Sequence, residues 1–86
     1  MKFLLISFKS RNQLYSFTKF LKVKGINFST INTPRKISTS CGLSIKTSYN
    51  NYTAILNFLR NNSNINIVGL FIVEQNGLQE NIQRVL

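Results

Sequence analysis

The sequence predicts an α+β domain of order βαββαβ: a four-stranded antiparallel sheet carrying two helices on one face. Three observations predict it. Hydrophobic periodicity switches between two and about 3.6 residues along the chain, in the order strand, helix, strand, strand, helix, strand. The two halves share that order of elements without repeating each other's sequence, and no linker-like stretch divides them. Finally, 86 residues support one core and no more, burying roughly 60–65% of the unfolded chain's surface.

The elements follow in order. Phe3-Leu4-Leu5-Ile6-Ser7-Phe8 is a nearly continuous apolar run, suited to a central strand over Lys2 to Phe8 that is covered on at least one face. Ser10 and Gln13 have capping-box spacing, and Leu14, Phe17 and Leu21 then recur at helical spacing. Arg11, Lys19 and Lys22 fall on another side of that helix, and Gly25 after Lys24 is a stop signal. Ile26 and Phe28 alternate with Asn27 and Ser29 and run on into Thr30 and Ile31, a second strand. Leu43 and Ile45 alternate with Ser44 and Lys46, a third. A helix is expected to start around Ser48 to Asn50, with Tyr52, Ile55, Leu56 and Leu59 as its apolar face. Ile65 to Glu74 reads as the fourth strand, and Asn76-Gly77 opens a C-terminal tail. The expected organisation is one domain over residues 1–75, in the ferredoxin-like arrangement, followed by a tail over 76–86.

Composition excludes much chemistry. Eleven Lys plus Arg against two acids give a formal charge of +9, and the chain has no His and one Cys, Cys41. Without His there is no Ser-His or Cys-His pair, and the commonest metal ligand is missing. Glu74 and Glu80 are the only carboxylate side chains, both near the C-terminus, so a paired-carboxylate site is not expected. No metal or cofactor is expected, and a self-contained enzyme is disfavoured. The longest nearly unbroken apolar run, Ile67 to Val73, falls far short of the ~20 residues a bilayer span needs. The opening MKFLLISFKS is too short in its apolar part for a signal peptide and lacks a small-residue cleavage site. A lone Cys without such a signal fits a reducing compartment, cytoplasmic or an organelle interior, rather than secretion.

The segment between the second and third strands is the candidate site. Asn32-Thr33-Pro34-Arg35-Lys36-Ile37-Ser38-Thr39-Ser40-Cys41-Gly42 is polar, rich in turn formers and longer than a hairpin needs. The thiolate is the nucleophilic form of cysteine, and nearby cations or aimed backbone amides favour it. Arg35 and Lys36 share the loop with Cys41, Lys46 follows just downstream, and Ser38, Ser40 and Gly42 are small neighbours. Gly42 permits a turn in which successive amides face an anion. Pro34 stiffens the entry. The competing reading is a buried Cys41 that packs as a small hydrophobe.

This loop carries a resemblance. The run from Thr33-Pro34-Arg35 through Ile37-Ser38 and Ser40-Cys41-Gly42 to Ser44-Ile45 resembles the signature of a family of small selenium/sulfur carrier-like proteins, along residues 2–73. The resemblance implies Cys41 as the sulfur or selenium acceptor. Thr33, Pro34, Arg35, Ser38, Ser40 and Gly42 would be its framework, and a donor protein and an acceptor protein its partners. The residues after Glu74 and the strong positive charge depart from the family's pattern.

Other readings use the same residues differently. A charge of +9 suits nucleic acid, and weak non-specific binding is expected. RNA-recognition sheets stack bases on aromatics of the first and third strands, however, and Leu43 to Thr47 contains none. A protein-interaction module would use an edge strand or open sheet face, and a redox sensor would use Cys41 as a mixed disulfide or sulfenic acid. Oligomeric state is not legible.

Overall fold

A strand that is apolar at almost every position needs cover on both of its faces, and this requirement organises the whole sheet. The computed structural model describes residues 1–37, 42–62 and 64–86. Within them run β1 (Lys2–Phe8), α1 (Arg11–Val23), β2 (Phe28–Asn32), β3 (Leu43–Ser48), a 3-10 turn (Tyr49–Asn51), α2 (Tyr52–Asn61), β4 (Gly69–Asn76) and β5 (Gln79–Arg84). All paired strands are antiparallel, in the spatial order β2-β3-β1-β4-β5. The mixed α+β class, the two helices and the antiparallel sheet are as expected. The expected four-stranded sheet is corrected to five strands.

The side chains of β1 sort by parity. Leu4, Ile6 and Phe8 join Leu14, Phe17 and Leu21 of α1 and Ile55 and Leu59 of α2 in one buried cluster with Ile45 and Leu70, so both helices lie on one face. Phe20 of α1 and Phe58 of α2 stack at 3.8 Å between centroids and join the helices directly. Phe3 and Leu5 point the other way and form a second cluster with Phe71 and Val73, covered by Ile31, Ile37 and Ile82. Each fully buried Leu, Ile or Phe contributes on the order of 1.5–3 kcal/mol. Four strands and two helices leave that second cluster without Ile82; the fifth strand supplies it.

Local signals explain the boundaries. Ser10 caps α1, its hydroxyl accepting from the Gln13 amide at 3.2 Å. The reciprocal half of the capping box is absent: Gln13 Oε1 instead accepts from the Asn66 amide at 3.2 Å, tying α1 to the segment before β4. The helix ends in a Schellman motif, with Gly25 at φ +70°, its amide donating to Lys22 and that of Ile26 to Leu21. Ile26 is thereby committed to the cap, and β2 begins at Phe28 rather than at Ile26. Likewise β4 starts at Gly69, later than the expected Ile65. The Ile65 amide donates to Asn62 in a turn, while Ile65 and Ile67 pack on the helix-side cluster. A two-residue turn, Gly77-Leu78 with φ +61° at Gly77, joins β4 to β5 and pairs Asn76 with Gln79. Among the described residues, no helix is long and apolar enough to cross a membrane.

Candidate functional site

The loop between β2 and β3 leaves the sheet at a closed stem. Asn32 and Leu43 are its last paired residues, and the Thr33 amide donates to the Gly42 carbonyl at 2.9 Å. Gly42 serves here through close approach and not through a left-handed turn, since among the described residues positive φ occurs only at Gly25 and Gly77. A Cβ on Gly42 would lie 3.3 Å from the Phe8 carbonyl oxygen and 3.4 Å from Thr33 Oγ1.

Beyond the stem the chain turns at once. The Ile37 amide donates to the Pro34 carbonyl at 3.0 Å, so Pro34-Arg35-Lys36-Ile37 is a tight turn. This turn lies over the helix-free face, where Ile37 packs on the cluster of Phe3, Leu5, Phe71 and Val73. Pro34 and Ile31 line a hollow of about 230 Å³ on the same face, with Phe3, Leu5, Val73 and Ile82. Lys36 Nζ reaches across to Glu80 Oε1 on β5 at 3.3 Å, and Gln75 Nε2 donates to Glu80 Oε2 at 2.7 Å. The Gln75 hydrogen bond first, and Lys36 second, hold the Glu80 carboxyl below its ordinary range. Arg35 is exposed, and Lys46 Nζ sits 4.4 Å from the centroid of the Phe3 ring.

Of the residues expected at the site, Thr33 and Gly42 are brought together at the stem, and Pro34, Arg35 and Lys36 occupy the turn. Ser38, Ser40 and Cys41, with Thr39 between them, lie outside the described residues. The structure adds residues that sequence reasoning passed over. Ser7 Oγ lies 2.7 Å from Ser44 Oγ, which lies 2.7 Å from Thr33 Oγ1. Ser7 and Ser44 are 1% and 0% exposed, so three hydroxyls lead from the middle of the sheet to the stem. The signal was present in the sequence, because Ser7 is the one polar residue in the run Phe3 to Phe8. Gly42 also lines a cavity of about 250 Å³, together with Phe8, Lys9, Ser10, Arg11, Asn32 and Leu43. Two cationic side chains and the start of α1 thus border the same stem.

No curated protein and no solved structure matches the chain. Residues 3–72, from β1 into β4 and including the entire loop, match the family described as "Putative Se/S carrier protein-like". β5 lies past the matched segment. With most of its length matched, and with the Thr-Pro-Arg and Ser-Cys-Gly segments inside the match, the chain belongs to this Se/S carrier protein-like family.

Proposed function

We propose that this protein is a non-enzymatic carrier that accepts sulfur or selenium on Cys41 and passes it on. The observation that carries the reading is the family match across residues 3–72, which includes the whole Thr33 to Gly42 loop. The stem geometry supports it, since Ser7 of β1, Ser44 of β3 and Thr33 just after β2 are joined there, and Thr33 is bonded to Gly42, the residue that follows Cys41 in the chain. We also read the first four strands, in the order β2-β3-β1-β4 with both helices on one face, as a ferredoxin-like unit to which β5 is appended.

In the proposed step, the Cys41 thiolate attacks the outer sulfur of a persulfide on a donor protein. The donor's S–S bond breaks, its own sulfur leaves as a thiolate, and Cys41 holds the transferred atom as a persulfide. No electrons are gained or lost overall. The persulfide is more acidic than the thiol, and its outer sulfur, deprotonated, is the group delivered to an acceptor. One cysteine suffices, because a second would discharge the cargo as an internal disulfide. Arg35, on the exposed turn, is the cation of the loop not drawn to Glu80, and it favours anionic sulfur. The partners are then a donor protein bearing a persulfide or its selenium analogue and an acceptor protein.

Incubation with a cysteine desulfurase and cysteine is expected to add the mass of one sulfur atom to the intact protein. Mapping should place it on Cys41, and Cys41→Ser should abolish it. An unmodified Cys41 under those conditions overturns the reading.

Nucleic-acid recognition fits less well. Phe3 and Phe71, aromatics on the helix-free face, are 7% and 6% exposed beneath Ile37 and Ile82, leaving no ring surface on which bases would stack.

A further inference from the structure

The sheet has two edge strands, and they differ in character. β5 carries Glu80 and Arg84, both engaged with the rest of the chain. β2, Phe28-Ser29-Thr30-Ile31-Asn32, has no charged residue and no Pro, and it pairs with β3 in unbroken register. Charges, Pro and bulges are the usual means of keeping an edge from accepting another strand. The register also tells which main-chain groups face outward. The Thr33 amide donates to Gly42 directly opposite, so in the antiparallel alternation Ile31 and Ser29 bond to β3. The N–H and C=O groups of Phe28 and Thr30 then point away from the sheet, and Thr30 is exposed.

The helix beside this edge supplies charge. Around α1, Arg11, Tyr15 and Lys22 fall within about 40° of one another and Lys19 about 40° further on, and all four are exposed. The opposite side of the helix faces the far half of the sheet: Phe20 stacks on Phe58 of α2, and Gln13 accepts from the Asn66 amide before β4. The helix itself packs on β3 and β1. With the strands in the order β2-β3-β1-β4-β5, the cationic side therefore looks toward β2. No carboxylate side chain is left for it, because the two acids of the chain pair with Lys2 and Lys36.

We infer that β2 takes up an extended acidic segment of a partner protein, which adds to the sheet as a new edge strand and sets its carboxylates against Arg11, Lys19 and Lys22 of α1. Main-chain hydrogen bonds supply the affinity, and alternate side chains supply the selectivity. Side chains of the added strand opposite Phe28 and Thr30 share the helix-bearing side, so those are the acidic positions. The side chains between them flank Ile31 on the helix-free side, where apolar β-branched residues fit. A second copy of this chain is a poor occupant. β2 paired antiparallel with its own copy brings two cationic α1 stripes together, on chains that each already carry +9. The inference does not rest on the reading of Cys41.

The test uses the full chain and a fluorescent peptide in which Glu alternates with Val and Thr. Saturable binding that weakens as salt rises is expected, together with slowed hydrogen exchange at the Thr30 amide. Reversing two charges, Lys19→Glu with Lys22→Glu, is expected to weaken binding by about tenfold, and both side chains are exposed, so the fold is kept. Methylating the peptide nitrogens of one alternating set is expected to abolish binding, and methylating the other set to leave it, because only one set faces β2. Absence of saturable binding, an unchanged Thr30 exchange rate, affinity indifferent to the Lys reversals, or equal tolerance of both methylated sets overturns the inference. So does a dimer formed through β2 in sedimentation, or an RNA oligonucleotide that protects the Thr30 amide where the peptide does not.

Discussion

At the scale of single residues, polar atoms carry most of the information about the site. Ser44 is fully buried and bonded on both sides, to Ser7 and to Thr33. Ser44→Ala is expected to destabilise the fold by about 1–3 kcal/mol in urea unfolding, because it leaves the buried Ser7 hydroxyl without its hydrogen-bond partner. An unchanged midpoint would mean that Ser7 finds another partner. Glu80 behaves differently, since it is exposed and its effect is read through pH. Its folded-state carboxyl is held below the ordinary value by Gln75 and then Lys36. The stability it contributes is present above the unfolded-state value and is lost as pH falls through the lowered folded-state value. Thermal midpoints measured across the acid range are expected to fall less steeply in Glu80→Gln than in the wild type. Identical slopes would show that the Lys36–Glu80 pair persists too little in solution to matter.

Among the elements, β5 is the one the sequence pattern concealed. Gln79-Glu80-Asn81-Ile82-Gln83-Arg84 holds a single apolar residue, so no period of two emerges from it. The readable signal was Asn76-Gly77, a hairpin dipeptide placed directly after a strand. Tertiary contact supplies the rest. Ile82 covers the cluster of Phe3, Leu5, Phe71 and Val73, and Glu80 meets Lys36 of the loop. Arg84 donates to the Val68 carbonyl at 2.8 Å just before β4. Ile82→Ala is expected to cost about 1–2 kcal/mol, and hydrogen exchange should quicken in β5 and at the Ile37 amide before β1 is affected. Exchange that quickens uniformly would instead place β5 in the global folding unit. The late start of β4 has an equally local cause. Ile65 and Ile67 are apolar and adjacent to a strand, but the Ile65 amide is taken by a turn and both side chains join the helix side of the core.

On the scale of the whole molecule, charge and burial pull in different directions. Nine excess positive charges give the protein a field attractive to any polyanion, yet both carboxylates are engaged, Glu74 with Lys2 at 3.5 Å and Glu80 with Lys36 at 3.3 Å. Any RNA binding is therefore expected to be weak, insensitive to sequence and lost steeply as salt rises; a fluorescence titration at two salt concentrations checks it. Affinity that survives high salt would return recognition by bases to consideration. The chain's own sequence determined the central strand, both helices, the Ser10 cap and Gly25 stop of α1, the loop and the identity of the single sulfur, because each rests on local period, capping chemistry or simple presence of a residue type. The apolar run from Phe3 to Phe8 marked β1 as a strand covered on at least one face, and the structure covers both. What covers the second face was decided only in three dimensions. Ile37 and Ile82 lie far apart in sequence and meet there, because buried apolar area is a property of surfaces brought together and not of any one segment. The hydroxyl line was assembled there too, since Ser7, Thr33 and Ser44 come from separate parts of the chain that only the sheet brings together.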